Sequence, residues 1–265
     1  MAESRIYRRL RQHVRTDQLL GLDAVPSDRR APSAEGVAPE ENQIPLTQIS
    51  NDPSRFAANE SGVSPPLERS TKLQILQMMD HDEVQSCTKC ELCKSRTRTV
   101  FGEGDPAAQL MFIGEGPGQS EDEQGRPFVG RAGELLNKMM EAMGFAREHV
   151  YIANVVKCRP PQNRTPTPGE TATCWDYLYR QITTIRPRII VTLGGPATKM
   201  LLQTKTGITA LRGTWSTFTP LTPECPAIPV MPTFHPAYLL RSYTAENRRR
   251  VWSDLQQVLE RLQSA

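Results

Sequence analysis

Aromatic residues are scarce in this chain, at 6% of 265 residues with three Trp in all. Mean hydropathy is −0.48, and no apolar run approaches the roughly 20 residues that cross a bilayer. The expectation is a protein with a modest core and no membrane span. The N-terminal stretch MAESRIYRRLRQHVR is basic but has no apolar segment behind it. A secretory leader is therefore not expected, and cytoplasmic, reducing surroundings are. Neither sign of charge dominates, with 32 basic and 29 acidic side chains. The first 68 residues contain no Cys, no Trp and only two aromatics, Tyr7 and Phe56. All six cysteines lie at 87 or beyond.

The same boundary divides the charge. Residues 1–68 carry 8 basic and 10 acidic side chains, which leaves 24 and 19 for the rest. A compact basic region behind an acidic-leaning tail fits a nucleic-acid partner, although a surplus of five charges does not single one out. Within the tail, Ile6, Leu10, Val14 and Leu20 fall at near-helical spacing, so residues 1–20 read as a short amphipathic helix. Residues 21–67 are rich in Pro, Ser, Ala, Glu and Asn without periodicity. Such a composition buries too little apolar surface to offset its ordering entropy, and reads as a disordered linker.

From 68 to 265 the pattern changes to that of a folded domain. Leu73, Ile75, Leu76, Met78 and Met79 make a helical stripe running to about Gln85. Short apolar runs at 110–113, 151–156, 188–193 and 230–234 read as strands. Helical stretches at 135–143, 175–185, 196–202 and 246–262 separate or follow them, the first stopped by Gly144. Strands alternating with helices predict an α/β fold, a three-layer α/β/α sandwich around a mostly parallel sheet.

Cys87 and Cys90 form a C-x2-C pair ahead of the first strand. Cys158 and Cys174 flank the Pro-rich loop that follows the second. In a reducing compartment such spacing favours metal over disulfide. A zinc ribbon would show a second tight knuckle, and this second pair is split wide. An iron–sulfur cluster needs no such knuckle, so cluster, zinc and unliganded thiols all stay open on spacing alone. Cys93 extends the run to C-x2-C-x2-C, but position 97, where a ferredoxin-like run has its fourth Cys, is Thr97. Cys93 therefore reads as a spare ligand at most, and Cys225 as an ordinary small residue.

Three loops at strand ends carry the remaining candidates. GEGPGQSED (114–122) is a glycine-rich turn that would present Glu115 where open α/β sheets bind ligands. Phe128 lies in GRPFVGRAG (125–133), between Arg126 and Arg131; it either stacks on a planar ligand or plugs the core. Asn154 sits inside an apolar strand, where a buried amide must find a partner in backbone or ligand. His235 follows the last strand, before Pro236, with 238–241 expected to form a protruding loop.

Taken together, CTKC, RTRTVFGEGDP, GEGPGQSED, GRPFVGRAG, NVVKCRPPQNR, Cys174 and HPAYLLR resemble the family 4 uracil-DNA glycosylases over about residues 72–262. The resemblance implies a uracil-DNA glycosylase-like fold and a base-excision-repair hydrolase acting on uracil in single- or double-stranded DNA. It also implies a [4Fe–4S] cluster on Cys87, Cys90, Cys158 and Cys174. By the same resemblance, Gly114, Glu115 and Gly116 line the pocket, Phe128 stacks on the base and Asn154 reads its edge. His235 would stabilise the departing uracil, while Glu115 or Glu121 would handle water. Leu239 or Leu240 would fill the gap left by the flipped base, with Arg241, Lys157, Arg159 and Arg164 on phosphates. A monomer is expected, since one pocket suffices. A competing reading is a non-catalytic iron–sulfur module that binds nucleic acid beside replication or repair proteins.

Overall fold

The protein is described here by a computed structural model covering residues 67–264. The helix expected at 1–20 and nearly all of the linker expected at 21–67 lie outside the described residues.

Six strands form one sheet in the order β1-β3-β2-β4-β6-β5. They are β1 (Glu103–Gly104), β2 (Leu110–Gly114), β3 (Tyr151–Asn154), β4 (Ile189–Leu193), β5 (Ser216–Phe218) and β6 (Ile228–Thr233). The four inner strands are parallel, and β1 and β5 pair antiparallel at the two edges. Neither edge strand was expected from sequence, because two or three residues are too few to show a period.

Side chains alternate between the two faces of the sheet, and both faces are covered. Met111, Ile113, Ala153 and Ile190 pack in one core cluster, whereas Leu110, Phe112, Ile152 and Val191 pack in the other. That is why the inner strands read as continuous apolar runs rather than alternating ones. Helices α1 (Arg69–Met78) and α4 (Pro168–Ile185) contribute to the first cluster through Leu76, Tyr177 and Ile182. Helices α3 (Arg131–Ala142) and α8 (Ala245–Gln263) contribute to the second through Leu136, Met139 and Leu255. The expected three-layer α/β/α architecture is therefore observed. Short helices α2 (Gln119–Gln124), α5 (Gly195–Leu202), α6 (Ile208–Leu211) and α7 (Pro236–Arg241) complete the order.

Local chemistry sets the boundaries. Helix α3 stops where expected, with Gly144 in the left-handed region at φ 83°. Helix α4 starts at Pro168, seven residues before the predicted Trp175. The cause is a capping box: the Thr167 hydroxyl accepts from Glu170 N–H, and the Glu170 carboxylate accepts from Thr167 N–H at 2.7 Å. The segment 236–241, expected as a protruding loop, is instead α7, with Pro236 at its first turn and His235 as its N-cap.

Candidate active site and cysteine cluster

Register builds the site. Strands β2 and β3 run parallel with Gly114 opposite Asn154, so both strands deliver their last residues to the same sheet edge. Strand β6 ends two positions before His235 on that edge, and the 125–130 loop brings Phe128 over it. A Cβ on Gly114 would collide with the Asn154 Oδ1 and lie 2.5 Å from the Phe128 Cζ. Only glycine leaves room there. The Phe128 and His235 ring centroids are 5.6 Å apart, tilted by 31°. The structure thus brings together four of the residues that the sequence singled out separately.

Asn154 is 1% exposed, and its Oδ1 has no hydrogen-bond partner among the described residues. An acceptor buried without a donor costs about 1–3 kcal/mol. The side chain can therefore accept a hydrogen bond from a donor outside the fold.

Phe128 is 5% exposed and belongs to the second core cluster, so it plugs the core and fronts the pocket at once. Its φ of 52° is left-handed, which a non-glycine residue holds only where its surroundings impose it. The surroundings are specific. The Glu121 carboxylate accepts from the N–H groups of Val129 and Gly130, both at 2.8 Å, and of Gly118 at 3.1 Å. Arg147 donates to the carbonyls of Pro127 and Phe128, the latter at 3.0 Å. Gly133 lets α3 approach so closely that a Cβ would collide with the Phe128 carbonyl. Glu103 pairs with both Arg147 and Arg126. Arg126 is therefore tied to the scaffold, not left for phosphate. Sequence reasoning missed Arg147, Glu103 and Gly133, and only Gly133, in the GRAG stretch that opens α3, carried a readable signal.

His235 Nδ1 accepts from Ala237 N–H at 3.0 Å. Burial, aided by the nearby Arg241 and opposed by Glu121, lowers the imidazole to about 4. The ring is neutral at pH 7, and because Nδ1 is an acceptor its proton sits on Nε2. Glu115 is half-buried; burial raises its carboxyl above the usual range, and a Thr165 hydrogen bond opposes that rise. Its carbonyl accepts from Val156 N–H at 3.2 Å. Gly116 packs against Val156, and a Cβ there would lie 2.8 Å from its Cγ2.

Around the rim, Leu239 is 3% exposed and packs in the core, whereas Leu240 is partly exposed and Arg241 is exposed. Arg159 donates to Asn163 Oδ1 at 2.8 Å, and Arg164 pairs with Glu170 at 2.6 Å. Lys157, expected on phosphates, is 1% exposed. Its ammonium donates to the Asn154 carbonyl at 2.9 Å and to Gln181 Oε1 at 2.5 Å. The chain leaving β3 keeps that side chain inside, where it braces the base of the pocket.

On the other side of β3, Cys87, Cys90, Cys93, Cys158 and Cys174 line one cavity. Arg96 donates to Cys158 Sγ at 3.1 Å, and Lys157 N–H donates to Cys174 Sγ at 3.3 Å. Burial pushes the Cys90 and Cys158 thiols up, the latter against the pull of Arg96, and Cys174 to about 11 against that of Lys157. Among the described residues no group of three His, Cys, Asp or Glu side chains is arranged to hold a single metal ion. Five thiols around one cavity, with N–H donors aimed at two of the sulfurs, fit a group held by several thiolates whose negative charge those donors offset.

A profile of the uracil DNA glycosylase superfamily matches residues 101–256. The chain is 45% identical over 187 residues to the type-4 uracil-DNA glycosylase of Thermotoga maritima, covering 70% of this chain and 94% of that protein. It is 46% identical over 187 residues to the type-4 uracil-DNA glycosylase of Sulfurisphaera tokodaii, covering 68% and 81%. With that of Saccharolobus solfataricus it shares 45% identity over 191 residues, covering 69% and 85%.

Proposed function

The chain belongs to the uracil DNA glycosylase superfamily, and within it to the type-4 uracil-DNA glycosylases, and from that membership we propose how its residues excise uracil from DNA. A deoxyuridine turned out of the strand enters the pocket at the carboxyl edge of the sheet. Phe128 stacks on the ring. Asn154 Oδ1 accepts from uracil N3–H, and its Nδ2 donates to O4. Cytosine has an acceptor at N3 and a donor at C4, so it opposes the same amide at both points. The observation that carries this reading is the buried, unpaired Asn154 Oδ1 beside Gly114 and Phe128.

As the bond from C1′ to N1 breaks, negative charge gathers on uracil O2. The neutral His235 offers Nε2–H to it, fixed in that tautomer by Ala237 N–H. Water adds to C1′ and gives its proton to Glu115, leaving an abasic deoxyribose and the uracil anion, which takes up a proton as it is released while Glu115 gives its proton back to solvent. The raised Glu115 carboxyl makes a stronger base than an exposed one. Glu121 spends its oxygens on three backbone N–H groups, so its work is to brace the Phe128 loop. Leu240, not the core residue Leu239, fills the gap left by the flipped base. Arg241 and Arg159 meet phosphates, whereas Glu170 holds Arg164 as Glu103 holds Arg126.

Cys87, Cys90, Cys158 and Cys174 would hold a [4Fe–4S] cluster. A cluster bound there would cross-link the 87–96 segment, the exit of β3 and α4, next to the strand that carries Asn154. We read the protein as a cytoplasmic monomer of base excision repair. Its pocket is complete in one chain, and among the described residues no helix is long and apolar enough to cross a membrane.

The test is a labelled oligonucleotide with one uracil, treated with alkali after incubation, beside a thymine control. Cleavage is expected at uracil alone. Glu115→Ala and His235→Ala are expected to lose release while keeping DNA affinity. Release at the parent rate by both variants would make the residue roles wrong, and no cleavage by the cluster-loaded parent protein would favour the non-catalytic binding module.

A further inference from the structure

We propose that Cys93 is a reserve ligand of the cysteine site, one that replaces Cys90 when Cys90 is lost or modified; the proposal rests on the iron–sulfur reading above. Five of the six cysteines line the one cavity, and only Cys225 lies elsewhere. A [4Fe–4S] cluster takes four thiolates, so the site holds one thiol in excess.

The excess is not distributed evenly. Cys158 and Cys174 are buried, on the exit of β3 and in α4, and neither has a second cysteine on its own segment. Cys87, Cys90 and Cys93 follow one another at three-residue intervals, and all three are partly exposed. Cys90 leads into a 3-10 turn, Glu91–Lys94, and Cys93 N–H donates to the Cys90 carbonyl at 3.2 Å. The two residues thus occupy one turn, and substituting one sulfur for the other needs only a local rearrangement of an exposed segment. Cys90 is among the positions partly open to solvent, and hence to oxidants, and it has a neighbour on its own turn able to take over.

The exchange moves no electrons. Cys93 gives up its thiol proton and its sulfur bonds to iron; the Cys90 sulfur leaves that iron as a thiolate and takes up a proton. Thr97, not Cys, stands where a ferredoxin-like run would place its next ligand, so Cys93 belongs to no second cluster motif in the sequence.

The experiment uses the full chain purified without oxygen, and reads iron per protein and the visible absorbance of the cluster. The set is the parent protein with Cys93→Ala, Cys90→Ala, the double variant and Cys158→Ala. Cys93→Ala is expected to match the parent. Cys90→Ala is expected to keep about half of the iron or more, and the double variant and Cys158→Ala to keep almost none. Cys90→Ala as empty as Cys158→Ala overturns the proposal, as does a double variant as loaded as Cys90→Ala. A second readout is native alkylation followed by mass spectrometry, run on Cys90→Ser as well in case the alanine variant fails to fold. Cys93 is expected to be labelled in the parent and protected in the Cys90 variants; labelling in all of them overturns the proposal. A folded parent protein without iron overturns the iron–sulfur reading itself, and is told apart by its lack of absorbance before any substitution.

Discussion

Replacing Asn154 by Leu should make the protein more stable and a poorer enzyme at the same time. Leu approximates the shape of Asn, and the Asn154 Oδ1 that it removes has no partner among the described residues. Exchanging an unpaired buried acceptor for a methyl recovers about 1 kcal/mol of the penalty, which for a domain of this size raises Tm by about 2–4 °C. The Lys157 ammonium is undisturbed, because it donates to the Asn154 backbone carbonyl, not to its side chain. Uracil fares worse. It loses two hydrogen bonds and keeps a buried N3–H and O4 without partners, together about 3 kcal/mol or roughly a hundredfold in kcat/KM. The assays are thermal unfolding of the free protein and cleavage of the single-uracil oligonucleotide under subsaturating conditions. A fall in Tm would mean that the amide is a structural tie within the fold. Cleavage within threefold of the parent would mean that another group reads the base.

The imidazole of His235 lies near 4 in the fold against roughly 6.5 in an unfolded chain. The unfolded state therefore takes up the proton first. Stability from this group is whole above pH 6.5 and declines by about 3 kcal/mol as pH falls through the folded value. Cleavage rates should accordingly have no histidine inflection between pH 6 and 8, and the His235 ring should remain neutral by NMR at pH 5.5. Glu115→Gln is expected to lower kcat with little change in Tm, whereas Glu121→Gln, which weakens three backbone contacts, should cost about 1–2 kcal/mol of stability; equal losses of kcat without destabilisation would reverse their roles. Leu240→Ala should slow cleavage of duplex more than of single-stranded uracil DNA, because only the duplex must be unstacked. Leu239→Ala, a core truncation, should destabilise by about 2–4 kcal/mol whatever the substrate.

The sequence by itself determined the layers and most of the chemistry. Apolar runs such as Leu110–Ile113 and Arg188–Leu193, parted by helical stretches, are the direct imprint of a parallel sheet covered on both faces. Gly114, Phe128, Asn154 and His235 were legible one at a time, because each breaks the local rule around it: glycines in a turn, an aromatic in a loop, an amide in an apolar strand, a histidine before proline. The cysteine spacing pointed to a bound group and left its nature open. The start of α4 was also legible in Thr167 and Glu170, although the helix was read as starting later.

Tertiary structure alone decided what each polar side chain is free to do. Composition marks Arg126, Lys157, Arg159 and Arg164 alike as cations, yet Glu103 holds the first, the interior the second and Glu170 the last. Glu115 and Glu121 are equally acidic in the sequence; three backbone N–H groups, one at the start of its own helix and two in the loop after Phe128, commit Glu121 to the scaffold, while Glu115 stays half-buried after β2. Leu239 and Leu240 are neighbours with the same side chain, and the rotation of a six-residue helix sends one inward and leaves the other near the surface. Such assignments depend on partners supplied by other elements and turns, from 3 to 24 residues away. A local pattern can place a residue at a strand end, but only packing determines which of its atoms are already engaged.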